Sequence, residues 1–151
     1  MNSVAEREDT IVQEVSIKGA AERIFAALID PAELMEWWRA GEKFQITHAE
    51  NDLRVGGKWT MTVEGHCGPD GRSTVTGVYQ EIDPPHTLVF TWSRPEENEP
   101  ESTVRWDLKE KDGVTTVRVA HSGLVSEEWR ARNSGWPIVV GLLRDYVEGN
   151  S

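Results

Sequence analysis

The segment that decides the fold lies near the C-terminus and reads GWPIVVGLLRDYV over residues 135–147. Five of its apolar side chains recur at the spacing of one helical face: Trp136, Val139, Val140, Leu143 and Val147. The pattern predicts a long helix from Glu127 to Glu148, with Ser126 as its N-cap. Because proline disfavours the α conformation at the residue before it, Trp136-Pro137 predicts a kink or break near Gly135. A helix with so broad an apolar face needs a large apolar surface on which to pack.

The chain before this helix consists mainly of short runs in which apolar and polar residues alternate, which is the pattern of half-buried strands. The first run is Thr10 to Lys18, and about six more follow between residues 42 and 122. Two short helical segments come after the first strand. One is Ala20 to Ile29, and the other begins at the capping pair Asp30-Pro31 and ends near Gly41.

These elements close into one α+β domain over residues 10–150, preceded by a flexible N-terminus at residues 1–9. The predicted architecture is a curved seven-stranded antiparallel sheet around a long C-terminal helix, with two short helices after strand 1. Apolar residues on both faces of the run Ser73 to Ile82 predict a β-bulge near Gly77. The Glu-rich stretch from Arg94 to Glu101 predicts a solvated loop. A sheet and a helix held apart by bulky side chains can enclose a cavity for a small molecule.

The composition restricts the classes of partner. The net charge is −10, from 16 Lys and Arg against 26 Asp and Glu. This balance disfavours nucleic acids and anionic membranes, since both require clustered basic residues. The N-terminus lacks the apolar core of a secretory signal, and no run approaches the length of a membrane span, so we expect a cytoplasmic protein. The single cysteine, Cys67, excludes an intrachain disulfide framework.

Polar candidates for chemistry are few. His121 shares an alternation face with Val117 and Val119, so it is either a hydrogen-bonded core histidine or a group that orients a ligand or moves a proton. Tyr79 is the second polar candidate. The four histidines lack metal-binding spacing, and the neighbours His66 and Cys67 would face opposite ways on a strand, so we expect no metal site. The sequence contains no P-loop and no dinucleotide-binding glycine motif, and it predicts no cofactor.

Several segments match one known family, namely Asp30–Trp38, Val55–Trp59, Gly77–Trp92, Thr115–Leu124 and Gly135-Trp136. Together they resemble the family related to the C-terminal domain of the activator of the heat-shock chaperone ATPase (AHSA-like). That family lies within the START-like, or SRPBCC, superfamily. The resemblance covers about residues 10–148 and implies a helix-grip fold, which is also described as birch-pollen-allergen-like.

The tryptophans are the clearest functional signal within that fold. Trp accounts for 7 of the 12 aromatic residues, and although a single indole is more often a core residue, rigid amphipathic indoles also suit cavity walls. In a helix-grip fold, the second helix, three of the strands and the last helix surround a central cavity. The predicted ligand-binding set is Trp37, Trp38, Trp59, Met61, Tyr79, Phe90, Trp92, Trp106, His121, Trp136, Val139, Val140 and Leu143.

The resemblance therefore implies binding of a small hydrophobic or aromatic ligand in a central cavity. One alternative is a cyclase, dehydratase or hydrolase-like enzyme acting on an aromatic or polyketide-like substrate, with His121 or Tyr79 as the polar participant. Another is a chaperone-interacting module. That role is disfavoured because the eukaryotic activator carries a separate N-terminal domain, for which this chain leaves no room. A homodimer stays open.

Overall fold

The computed structural model describes residues 9–41, 43–65 and 71–149, and their seven strands form one antiparallel sheet. The strands are β1 (Ile11–Lys18), β2 (Phe44–Asn51), β3 (Lys58–Gly65), β4 (Arg72–Asp83), β5 (Thr87–Trp92), β6 (Ser102–Lys111) and β7 (Val114–Ser122). Their order across the sheet is β1-β7-β6-β5-β4-β3-β2, so each strand from β2 to β6 pairs with its successor and β1 pairs with β7. The predicted curled seven-stranded sheet is confirmed.

Two short helices carry the chain from one edge of the sheet to the other. They are α1 (Ala21–Ile29) and α2 (Pro31–Trp37). The Asp30 carboxylate accepts a hydrogen bond of 2.9 Å from the backbone N–H of Ala32, and Pro31 is the first helical residue. The predicted N-cap is therefore confirmed.

The second of these helices is one turn shorter than its sequence predicts, because it ends at Trp37 and not near Gly41. The carbonyl of Trp38 instead accepts a hydrogen bond of 3.0 Å from the backbone N–H of Ile46 in β2. This early β pairing draws the chain out of the helix and fixes the indole of Trp38 at the end of α2.

The C-terminal helix is broken into two pieces, α3 (Glu127–Arg132) and α4 (Trp136–Gly149). Ser126 caps the first piece, where its Oγ accepts a hydrogen bond of 3.2 Å from the N–H of Trp129. The break falls at residues 133–135, directly before Pro137, as the sequence predicts. The five apolar residues of the predicted α4 face are all buried, and α4 packs against β1.

The bulge in β4 lies further along the strand than its sequence predicts. The register of β4 on β5 shifts between Tyr79 and Glu81, not at Gly77. Gly77 meets a different requirement, because a Cβ atom added there would lie 1.8 Å from the carbonyl oxygen of Thr91. The glycine thus permits a close approach of two backbones, while the bulge itself rotates the end of the strand.

The loop between β5 and β6 is not the solvated segment that its glutamates predict. Glu96 and Glu101 are exposed, but Glu97 is half-buried and Glu99 is only 5% exposed. Arg94, which is itself 7% exposed, pairs with Glu99 and draws it inward. Charge density alone therefore gave the wrong burial for this loop.

Some predictions fall on residues outside the described ranges: the N-terminal residues 1–8, the pair His66 and Cys67, and most of the turn at residues 68–71. Across the described chain, no three His, Cys, Asp or Glu side chains lie together as metal ligands would. No helix in the described ranges is long and apolar enough to cross a membrane.

Candidate ligand-binding site

A cavity of about 130 Å³ lies where the beginning of α4 and the end of α2 meet strands β2 to β5. Its apolar lining consists of Trp38, Phe44, Met61, Val63, Val75, Trp92, Gly135, Trp136 and Val139. Its polar lining consists of Ser73, Arg94, Arg132 and Asn133. The break before α4 borders this cavity, since Asn133 and Gly135 both belong to it. The cavity thus combines an apolar wall, which includes four aromatic side chains, with one group of polar side chains.

A second cavity of about 50 Å³ lies on the other side of the aromatic residues. Its lining is Leu28, Pro31, Leu34, Trp38, Ala49, Glu50, Asn51, Trp59, Tyr79, Phe90, Trp92 and Trp106. Trp38 and Trp92 line both cavities, so these two indoles separate them. Two small spaces therefore lie on either side of these indoles.

Trp136, the first residue of α4, is the centre of this aromatic layer. Its ring centroid lies 5.9 Å from that of Trp38, 5.6 Å from that of Trp92 and 5.8 Å from that of Trp106. The interplanar angles range from tilted to edge-on, which is the favourable arrangement for aromatic pairs. The break in the C-terminal helix thus places the indole of Trp136 between the sheet and the end of α2.

Nine of the thirteen predicted site residues line one of the two cavities. The larger cavity includes Trp38, Met61, Trp92, Trp136 and Val139. The smaller one adds Trp59, Tyr79, Phe90 and Trp106. The remaining four are buried in the core but line neither of these cavities: Trp37, His121, Val140 and Leu143. Ligand contact by any of these side chains stays a prediction.

His121 is fully buried and both of its ring nitrogens are hydrogen-bonded. Nδ1 accepts a hydrogen bond of 3.1 Å from Nε1–H of Trp136, which requires the tautomer protonated at Nε2. Nε2 lies 2.7 Å from Oγ of Ser102, which in turn donates to the carbonyl of Trp92 at 3.1 Å. Burial, with a smaller effect from the charge of Arg94, lowers the pKa of His121 to about 3. The side chain is therefore a neutral core histidine with its hydrogen bonds filled.

Tyr79 connects the smaller cavity to the helices. Its hydroxyl accepts a hydrogen bond of 2.9 Å from Nδ2 of Asn51, which also donates to the carbonyl of Ile29 at 2.7 Å. Burial raises the pKa of Tyr79, although the hydrogen bond from Asn51 opposes the shift. The phenol thus remains protonated at neutral pH and links β4 and β2 to the end of α1.

The polar wall of the larger cavity is built around Arg94. Its Nε donates to Oγ of Ser73 at 2.9 Å, and its Nη1 donates to Oε1 of Glu99 at 2.8 Å and to Oδ1 of Asn133 at 2.9 Å. Nδ2 of Asn133 donates to the second oxygen of Glu99 at 2.7 Å. Burial lowers the pKa of Arg94, and the carboxylate of Glu99 opposes that shift. A guanidinium is thus held rigidly at the cavity wall.

A second pair of charges joins the same wall to α3. Arg132 forms a short ion pair with Glu97, whose other oxygen accepts a hydrogen bond of 2.7 Å from Oγ of Ser73. Burial alone would raise the pKa of Glu97, but the hydrogen bonds from Arg132 and Ser73 outweigh it and the pKa is lowered. The loop after β5 is thereby fastened to the segment that precedes α4.

Sequence reasoning missed this polar wall, although one signal for it was present. The alternation that places Leu88, Phe90 and Trp92 inward continues to Arg94, two residues after Trp92. An inward-facing arginine requires a buried carboxylate nearby, and Glu97 and Glu99 are the adjacent candidates. Asn133 offered no comparable signal, because it lies 39 residues from Arg94 in the sequence.

A curled antiparallel sheet, two short helices after its first strand and a C-terminal helix packed against the sheet together define the helix-grip class of protein. Residues 18–148 match the family described as activator of Hsp90 ATPase homolog 1-like protein. The chain belongs to this family, which lies within the START-like superfamily, and the predicted family is confirmed. No match was found among the curated proteins.

Solved structures from several bacteria share the fold. Protein CV1439 from Chromobacterium violaceum is 21% identical, with a TM-score of 0.79 over 93% of this chain and 98% of that one. The AHSA1-like protein from Aeromonas hydrophila is 22% identical, with a TM-score of 0.72 over 93% of each chain. CalU16 from Micromonospora echinospora is 20% identical, with a TM-score of 0.69 over 94% of this chain and 76% of that one. At these identities the likeness establishes the fold alone.

Proposed function

We propose that this protein binds a small hydrophobic or aromatic molecule in the cavity of about 130 Å³ at the start of α4. The observation that carries the proposal is the lining itself, in which Trp38, Trp92 and Trp136 face a space bordered on one side by Arg94. Ligand sites in proteins commonly combine an apolar lining with a few fixed polar groups. The family fold, which encloses such a space between sheet and helix, also supports this function.

The size of the cavity limits the ligand. An engineered protein cavity of about 150 Å³ binds benzene, so a cavity of about 130 Å³ suits roughly one aromatic ring or a short aliphatic chain. A larger ligand would need the aromatic layer to move, because Trp38 and Trp92 separate the two cavities. We therefore expect ligands whose buried part is a single ring.

The geometry of His121 supports binding over the enzymatic alternative. A general base needs a free lone pair in reach of the substrate, but the Nδ1 lone pair of His121 is occupied by Trp136. The phenol of Tyr79 faces the smaller cavity and already accepts a hydrogen bond from Asn51. Binding without turnover is accordingly the function that these residues favour.

Calorimetric titration with cumene, a single-ring apolar compound, tests the proposal. Val139→Phe would fill part of the cavity from α4, and Ile138→Phe is the matched control because Ile138 is an exposed neighbour on the same helix. We expect the wild type and Ile138→Phe to bind cumene and Val139→Phe to lose binding. Equal binding by both variants, or no binding by the wild type, would contradict the proposal.

The family description raises a second function, stimulation of the Hsp90 ATPase. Addition of this protein to purified Hsp90, with the ATPase rate as the readout, distinguishes the two. An unchanged rate together with ligand binding is the result that we expect. A cytoplasmic location and a homodimer stay predictions, and sedimentation of the purified chain tests the second of these.

A further inference from the structure

Most hydrogen-bonding groups of the polar wall already bond to other protein groups. This restricts which polar groups of a ligand could form hydrogen bonds there. Ser73 Oγ donates to Glu97 and accepts from Arg94 and Arg132. The side-chain oxygen of Asn133 accepts from Arg94 and from the indole of Trp92. Neither side chain retains an unused acceptor for a ligand that donates a hydrogen bond.

The unused groups are donors on the two arginines. Among the described residues, no group accepts a hydrogen bond from Nη2 of Arg94, whose Nε and Nη1 are both engaged. Nε and Nη1 of Arg132 likewise have no acceptor in the described chain. Arg94 is more than nine-tenths buried and lines the cavity. Because Nη2 has no acceptor in the described chain and Arg94 lines the cavity, an acceptor on the ligand can take the hydrogen bond of this donor in place of water.

The charges of the wall are already balanced. Arg94 is paired with Glu99 at 2.8 Å, and Arg132 is paired with Glu97. A carboxylate ligand would bring a negative charge into a buried site that holds two carboxylates for its two guanidiniums. An ammonium ligand would meet the two guanidiniums, whereas neither Glu97 nor Glu99 is among the residues that line the cavity. Burial of an unpaired charge is costly in either case.

We propose that the ligand carries a neutral hydrogen-bond acceptor, such as the carbonyl of a ketone, aldehyde or ester, next to its buried ring. The ring lies against Trp92 and Trp136, and the carbonyl oxygen accepts from Nη2 of Arg94. This inference rests on the proposed binding function and adds the chemical class of the ligand to it. Because Ser73, Glu99 and Asn133 hold the guanidinium in place, its donors are oriented before the ligand arrives.

Four single-ring compounds of matched shape test this inference: acetophenone, cumene, benzoate and 1-phenylethylamine. Titration calorimetry on the wild-type protein measures the dissociation constant of each. We expect acetophenone to bind at least as tightly as cumene, although the removal of a ketone from water costs more free energy than the removal of a hydrocarbon. We expect benzoate and 1-phenylethylamine to bind at least about tenfold more weakly than acetophenone.

The outcomes separate this inference from the proposed function. Cumene binding about tenfold tighter than acetophenone would show that no donor reaches the ligand, and it would overturn the inference while leaving the binding function intact. Tightest binding of benzoate or of the amine would overturn the charge argument. Failure of all four compounds to bind would overturn both proposals.

Arg94→Lys tests the assigned donor, since it keeps a positive charge beside Glu99 and removes the guanidinium. We expect its affinity for acetophenone to fall about tenfold and its affinity for cumene to stay within about twofold of wild type. Equal losses for both compounds would contradict the assignment. If this variant does not fold, the infrared carbonyl stretch of acetophenone bound to the wild-type protein tests the inference instead. A hydrogen bond to the carbonyl oxygen lowers the wavenumber of this stretch. An unshifted stretch would overturn the inference.

Discussion

The indole N–H of Trp136 donates a hydrogen bond of 3.1 Å to Nδ1 of His121, and both side chains are buried. One residue begins α4 and the other lies in β7, so this bond joins the helix to the sheet. It also fixes the imidazole as neutral, because a protonated Nδ1 could not accept it. His121 therefore helps to hold α4 in place on the sheet.

The free energy of unfolding should decrease as the pH is lowered through the range in which His121 is protonated only in the unfolded chain. Its pKa is about 3 in the folded protein against an ordinary value of 6.5. The unfolded state therefore binds a proton first as the pH drops, and the stabilisation present above 6.5 is lost progressively down to about 3. We expect the free energy of unfolding to decrease by about 2 kcal/mol between pH 7 and pH 5. Urea unfolding at several pH values measures this decrease.

The control is His121→Gln, in which the pH dependence of the free energy of unfolding over this range should disappear. An unchanged pH dependence in this variant would contradict the assignment.

Removing an indole N–H should cost more at Trp136 than at Trp59. Trp136→Phe leaves Nδ1 of His121 without its donor, whereas Nε1 of Trp59 is buried with no hydrogen-bond partner among the described residues. Both substitutions remove similar volume from the core. We expect Trp136→Phe to lower the free energy of unfolding by about 1–2 kcal/mol more than Trp59→Phe. Denaturant unfolding of the two variants checks this, and a larger loss at Trp59 would count against the hydrogen-bond assignment.

The buried ion pair of the loop after β5 should respond sharply to loss of its carboxylate. Glu99→Ala leaves Arg94 buried beside no matched carboxylate, which typically costs about 3–5 kcal/mol. Glu101→Ala is the matched control, since Glu101 is an exposed glutamate two residues away, and it should change stability by less than about 0.5 kcal/mol. Thermal or denaturant unfolding gives both values. Similar small effects would mean that the loop is solvated after all.

Two glycines should respond in opposite ways to alanine. A Cβ atom at position 77 would lie 1.8 Å from the carbonyl oxygen of Thr91, so Gly77→Ala must displace a neighbouring strand. A Cβ atom at Gly141 within α4 meets nothing within 4 Å. We expect Gly141→Ala to raise the free energy of unfolding by up to about 1 kcal/mol through helix propensity. We expect Gly77→Ala to lower it by more than about 1 kcal/mol. Comparable melting temperatures for the two variants would argue against the close approach at Gly77.

The parts of the structure that sequence predicts well are those governed by local rules. The apolar face of α4, the cap at Asp30 and the break before Pro137 each follow from spacing or backbone chemistry within a few residues. Alternation likewise gave the strands, and alternation together with helical spacing gave nine of the residues that line the two cavities. Local patterns cannot give the exact position of a bulge, because the shift between Tyr79 and Glu81 depends on the partner strand.

Local patterns could not predict the polar wall, because several of its residues are distant in the sequence and come together only in the folded structure. Glu99 reads as one more charge in an acidic loop, and only its pairing with Arg94 and Asn133 buries it. The volume of the larger cavity also depends on three-dimensional packing, because it is the space that remains between the side chains of Trp38, Trp92 and Trp136 and their neighbours. A pattern can predict that indoles face inward, but packing decides how much space they leave.

A crystal structure of the protein soaked with acetophenone would show whether the proposed site binds a single-ring carbonyl compound. We expect density for one ring in the cavity of about 130 Å³, against Trp92 and Trp136, with the carbonyl oxygen within hydrogen-bonding distance of Nη2 of Arg94. A cavity that stays closed and empty at saturating ligand, or a ring bound elsewhere on the protein, would contradict it.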